Sequence, residues 1–101
     1  MLMQHKKTRT QRPHLLFVYG RTSGLSRKIE GYVAQVLQHR HNHDTFRFTR
    51  ICAEDQPELV EQLGVSALPA ILVLERNKVQ ARLVAPKTRY AIVEALEPWL
   101  T

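Results

Sequence analysis

Apolar and polar residues alternate along this chain in blocks whose period changes several times. Leu15-Leu16-Phe17-Val18-Tyr19 is a short unbroken apolar run, the pattern of a strand covered on both faces. Ile29, Val33, Val36 and Leu37 then recur at i, i+4, i+7 and i+8, which is one stripe of a helix. Thr22 and Ser23 are good N-caps for that helix, and the polar residues 39–44 should end it. Phe46–Ile51 alternates in part and carries Arg47 and Arg50, charges that suit an edge strand. Asp55-Gln56-Pro57-Glu58 predicts a helix start, with Asp55 as cap, Pro57 in the first turn and Glu58 completing a capping box. Leu59, Val60 and Leu63 give this short helix its inward face, and Gly64 should stop it. Ala70–Leu74 and Val79–Val84 flank Glu75-Arg76-Asn77-Lys78, where Asn77 tolerates the left-handed backbone of a tight hairpin. Ile92, Leu96, Trp99 and Leu100 form the stripe of a last helix. Pro98 must end or kink it, because proline lacks the donor and its ring clashes with the carbonyl of Glu94.

The order is therefore β-α-β-α-β-β-α. A helix joins the first two strands, so they should be parallel with a right-handed crossover. The last two strands should form an antiparallel hairpin. The expected fold class is α/β, with a mixed four-stranded sheet. A chain of 101 residues makes one domain, able to bury roughly two thirds of its unfolded surface without metal or disulfide. No internal repeat and no low-complexity tract interrupts it.

Charge divides the chain at Pro13. Four of the 15 Lys and Arg residues (Lys6, Lys7, Arg9, Arg12) and none of the 9 acids lie in residues 1–14. With no apolar periodicity, residues 1–13 are expected to be a basic flexible arm, and residues 14–101 the folded domain. Nucleic acid is a weak candidate partner for the charges at 6–12, since no aromatic residue there can stack on bases. No apolar run approaches the ~20 residues of a membrane span. The N-terminus lacks the apolar segment of a secretory signal. Cys52 is the one cysteine, so no intrachain disulfide can form, which suits a cytoplasmic setting. Placed at the end of the second strand, it is expected away from Ser23, as a buried, inert thiol. His39 and His43 could share a helix face, but histidine near a helix C-terminus is favourable without metal, and no metal site is assigned. Gly20-Arg21-Thr22-Ser23-Gly24 lacks the spacing and the lysine of a phosphate loop.

Two segments carry a resemblance. Ser23-Gly24-Leu25-Ser26 follows the first strand and opens the first helix, and Leu68-Pro69-Ala70 leads into the third strand. In this order and spacing residues 14–100 resemble a minimal thioredoxin-like domain, lacking the N-terminal strand and helix of full-length thioredoxins. The resemblance puts Ser23 and Ser26 at the two redox cysteines, with Gly24 and Leu25 between them. It puts Pro69 at the cis-proline, Thr22 at the tryptophan before the motif, Arg27 at the lysine after it, Phe17 at the buried aspartate and Gly31 at the helix-kinking proline. Both sulfurs and the proton-transferring acid are then absent together. A serine hydroxyl has no accessible anion near neutral pH and forms no disulfide. It becomes a nucleophile only beside a general base; no His, Asp or Glu lies in residues 15–29, and none can be assigned to Ser23 from sequence. N-capping is the simpler role for both serines.

Leu16–Thr22, Asp55–Glu61 and Leu96–Leu100 are also similar to KaiB-type clock domains and the sensory domain of their partner kinase. Leu68, where those families favour threonine, and the compact hairpin at 75–78 depart from that pattern. The function expected is a thioredoxin-like domain without dithiol-disulfide oxidoreductase activity that binds a protein or peptide. Its degenerate active-site positions are Ser23, Gly24, Leu25, Ser26 and Pro69, and its candidate peptide-binding residues are Thr22, Ala67 and Leu68. No catalytic residue and no cofactor is assigned. The alternatives are a KaiB-like clock or signalling adaptor and, less favoured, a thiol- or serine-dependent enzyme.

Overall fold

Four strands pair in the order β2-β1-β3-β4 in a computed structural model that describes residues 12–39, 42 and 44–100. Strand β1 spans His14–Tyr19, helix α1 Gly24–Gln38, β2 Arg47–Cys52, α2 Pro57–Gln62, β3 Ala70–Glu75, β4 Lys78–Val84 and α3 Arg89–Leu96. Strands β1 and β2 are parallel, and β1–β3 and β3–β4 antiparallel. This is the expected β-α-β-α-β-β-α order. The basic charges at Lys6, Lys7 and Arg9 lie outside the described residues, as does His43. Arg12 donates to the carbonyl of Asp44 (3.1 Å), and the carbonyl of Pro13 accepts from Arg47 N–H (2.9 Å).

The unbroken apolar runs follow from burial on both faces of the sheet. Leu15 and Phe17 point to one side, where Ile29, Val33 and Val36 of α1 and Ile92 and Leu96 of α3 pack with Ile71 and Val73. Leu16 and Val18 point to the other, where Ile51, Ala70 and Leu72 meet Leu59 and Val60 of α2 and Leu63 at its C-cap. A central strand with helices on both sides has no polar face to show. Strand β2 is an edge, and Arg47–Arg50 are exposed along it. Arg50 pairs with Glu30 (2.6 Å) and lies over the Tyr19 ring, 4.6 Å from its centroid.

The ends of the elements refine the sequence reading. Ser23, not Thr22, caps α1. Gly64 (φ +71°) ends α2 in the left-handed region. The β3–β4 turn needs that region twice, at Arg76 (φ 54°) and Asn77 (φ 66°), as a two-residue hairpin of the primed kind does. Two expectations fail. Gln56 stands at the N-cap of α2 and makes no side-chain bond there, because Asp55 turns to the guanidinium of Arg21. Helix α3 stops at Leu96, so Trp99 and Leu100 lie beyond it, though both still pack on the core. Pro98 can supply no helical donor there.

Candidate functional site

Parallel pairing of β1 and β2 brings their C-terminal ends to one edge of the sheet, with Tyr19 opposite Cys52. Helix α1 begins at that edge and β3 begins there too, since Ala70 pairs with Val18. The loops after β1 and β2 and the loop before β3 therefore converge. Sequence reasoning placed Cys52 away from Ser23; the structure corrects this, because parallel strands end on the same side.

The Gly20–Ser26 segment is closed by its own serines. Ser23 N–H donates to the carbonyl of Gly20 (3.2 Å). Ser23 Oγ accepts from Ser26 N–H (3.0 Å), satisfying one of the first-turn donors of α1. Ser26 is buried, and its Oγ accepts from the Gly20 N–H (3.1 Å). Both hydroxyls at the degenerate cysteine positions thus serve backbone donors. Among the described residues no imidazole or carboxylate hydrogen-bonds Ser23 as a general base would.

A second tie joins this loop to the one after β2. Arg21 N–H donates to Glu54 Oε1 (3.0 Å), and the Cys52 thiol donates to the same oxygen (3.3 Å). The Arg21 guanidinium pairs with Asp55. The Arg21 N–H, more than the Cys52 thiol, holds the Glu54 carboxyl below the usual carboxylate range. The hydrogen bond to Asp55 raises the Arg21 guanidinium further above its ordinary value. Cys52, Glu54 and Asp55 were not assigned to this edge from sequence. The signal that could have found them is the parallel β1–β2 pairing already deduced.

Gly20 is where the loops touch. A Cβ there would stand 3.5 Å from Ser23 Cβ, 3.6 Å from Leu68 Cδ1 and 3.8 Å from Glu54 Oε2. The Leu68–Pro69 peptide bond is cis. Pro69 is buried, and its carbonyl accepts from Ala85 N–H (2.7 Å) at the end of β4. Ser66 and Ala67 are exposed and Leu68 is half-buried. Their backbone groups take part in none of the turn, loop or cap hydrogen bonds among the described residues. Leu25 is 39% exposed, Thr22 and Gly24 are exposed, and Arg27 and Lys28 are exposed on the next turn of α1. The structure thus brings Ser23, Ser26 and Leu68 together around Gly20. Thr22 and Ala67 are open to solvent beside them, without a hydrogen bond to the cluster. Beneath the site Phe17, stacked on Tyr19 with ring centroids 6.1 Å apart, is fully buried. An apolar ring therefore fills the position that the resemblance gives to an acid.

No protein-family model matches this chain, and no curated protein does. Solved structures do match. The germline-specific thioredoxin Deadhead of Drosophila melanogaster superposes with a TM-score of 0.77 at 16% identity, covering 98% of this chain and 91% of that one. Thioredoxin of Fasciola hepatica gives 0.75 at 15% identity, over 98% and 91%. Trxlp of Edwardsiella tarda gives 0.73 at 14% identity, over 92% and 89%. A KaiB-type likeness is not shown by these matches. At such identities the likeness speaks for architecture alone, and that architecture is clear: the chain has a thioredoxin-like fold, and its single cysteine leaves it no Cys-x-x-Cys motif.

Proposed function

We propose that this domain binds an extended peptide segment of a protein partner and carries out no dithiol-disulfide exchange. The observation that carries this reading is the use of the two serines. Ser23 Oγ and Ser26 Oγ accept from the Ser26 and Gly20 N–H groups, so both residues at the degenerate positions hold the loop. Beside them the exposed Ser66 and Ala67 make no backbone hydrogen bond among the described residues. An extended segment can pair with such groups as an added strand does, while side-chain contacts select the sequence. Leu25 and the half-buried Leu68 offer it an apolar contact. Arg27 and Lys28 offer charge at the rim, which steers association more than it strengthens it.

The proposed setting is cytoplasmic, where a lone thiol stays reduced. Among the described residues no helix is long and apolar enough to cross a membrane.

Two measurements test the reading. In insulin reduction with dithiothreitol, the protein should give no rate above background. Catalytic turnover abolished by Cys52→Ala would overturn the redox half of the proposal. For the binding half, the full chain serves as bait in extract from its own cell, beside the Leu25→Asp and Ala67→Asp variants. Both side chains are exposed, so the variants should fold. A partner retained by the parent and lost from both variants is expected. A partner held equally by all three would place binding elsewhere.

A further inference from the structure

We propose that the cleft between the C-terminal half of α1 and α3 is a binding site for a small carboxylate with an apolar body. It is separate from the surface around Ser23, because Gln35 stands roughly 18 Å along α1 at the helical rise of about 1.5 Å per residue.

The cleft encloses about 270 Å³. That is just below the ~300–1,000 Å³ of clefts that hold drug-sized molecules, so its ligand is smaller. Val36, Val93 and Leu100 supply apolar walls. Val36 is buried and the other two are half-buried against the core. Gln35, His39 and Arg89 supply polar groups around the same space.

Arg89 sets the chemistry. Its Nη1 donates to Gln35 Oε1 at 2.9 Å, a bond that fixes the guanidinium against α1. A guanidinium has five N–H donors in a planar fork. The ion pairs among the described residues join Arg21 to Asp55 and Arg50 to Glu30, and Arg89 is in neither. The remaining donors suit the two oxygens of a carboxylate, which a fork binds through parallel hydrogen bonds. Among the described residues of the cleft, the Arg89 guanidinium with the Gln35 amide beside it matches a single negative charge. The three aliphatic walls take the apolar part, whose removal from water adds to affinity. Together these features define an aryl or short-chain monocarboxylate.

The test is a titration of the full chain with sodium benzoate, followed by amide chemical shifts at constant chloride. Benzamide, with the same ring and no charge, is the comparator. Benzoate should give saturable millimolar binding, with shifts at Gln35, Val36, Arg89 and Val93. Benzamide should bind at least about tenfold more weakly. Arg89→Gln should lose at least about tenfold in benzoate affinity, with the rest of the spectrum unchanged. Arg89→Lys, which keeps the charge but not the fork, should fall between. Equal binding of benzamide, undiminished binding by Arg89→Gln, shifts centred on residues 20–26, or no saturable shift at these concentrations would each overturn the proposal. None of these results bears on the peptide surface, whose variants lie at Leu25 and Ala67.

Discussion

Segments Gly20–Ser26 and Ser66–Pro69 meet at Gly20, and they use their polar groups in opposite ways. The first is bound to itself by Ser23 and Ser26 and to the loop after β2 through Arg21. The second is anchored at Pro69 by the Ala85 N–H, while Ser66 and Ala67 remain exposed with unused backbone groups. The contrast separates two roles that thioredoxin chemistry combines at one place. In the proposed reading, serines hold the loop at the positions the resemblance gives to cysteines, and Ser66 and Ala67 offer the backbone groups with which a partner chain would pair. A peptide surface of the kind proposed needs one fixed wall and one set of free donors and acceptors.

The sharpest way to break the comparison is at Ser26. Ser26 is buried, and its Oγ is the one acceptor of the buried Gly20 N–H among the described residues. Ser26→Ala leaves that donor unsatisfied, at a cost of about 1–3 kcal/mol. For a domain of this size, each kcal/mol lowers the melting temperature by roughly 4–8 °C. Urea unfolding of the variant should show the loss. A variant as stable as the parent would mean that Ser26 does not hold the loop.

Ser23 should come next. Ser23→Ala removes the α1 cap, which costs typically ~1 kcal/mol. Ser23→Asp keeps an acceptor and adds a charge favoured at a helix N-terminus, so it should recover most of the loss. Ala67→Ser, on the open segment, should change stability by less than about 0.5 kcal/mol. Thermal melts of the four variants should rank Ser26→Ala, Ser23→Ala, Ser23→Asp and Ala67→Ser from most to least affected.

The sequence made the sheet legible for a definite reason. Leu15–Val18 and Ala70–Val73 have no polar face because helices cover both sides of β1 and β3, and an unbroken apolar run reports that directly. Ser23 was legible as a cap because capping is local, acting over three residues; Ser26 does not cap α1 but lies in its first turn and accepts from the Gly20 N–H six residues back, a tie the capping pattern does not encode. The ties at Glu54 were not legible either, since Arg21 and Glu54 meet only through the pairing of β1 with β2. The same tertiary contact misled the reading of α2: Asp55 has the spacing of a cap, yet the Arg21 guanidinium draws it away. Trp99 and Leu100 kept the helical stripe in sequence, but Pro98 left them to pack from a turn. The cleft at Arg89 depends on α1 and α3 crossing, which no local pattern encodes.

A small effect should also come from the tie between the two loops. Arg21 and Asp55 have side chains 57% and 61% exposed, so solvent screens the pair and Arg21→Ala should leave stability nearly unchanged; the variant keeps the backbone N–H that Glu54 accepts from. Glu54 gives this tie a pH dependence. Its carboxyl is held below its ordinary value, first by the Arg21 N–H, so the folded state binds its proton less readily than the unfolded chain does. The stabilisation is fully present above the ordinary carboxylate value of 4.5. It is lost as pH falls through the lower value of the folded protein. Glu54→Gln cannot make that transition. Parent and variant should therefore diverge in stability above pH 4.5 and converge in more acid solution. Urea midpoints taken down an acid series check the sign. A gap between the two proteins that widens as the pH falls would show that the Glu54 charge does not hold Arg21 in place.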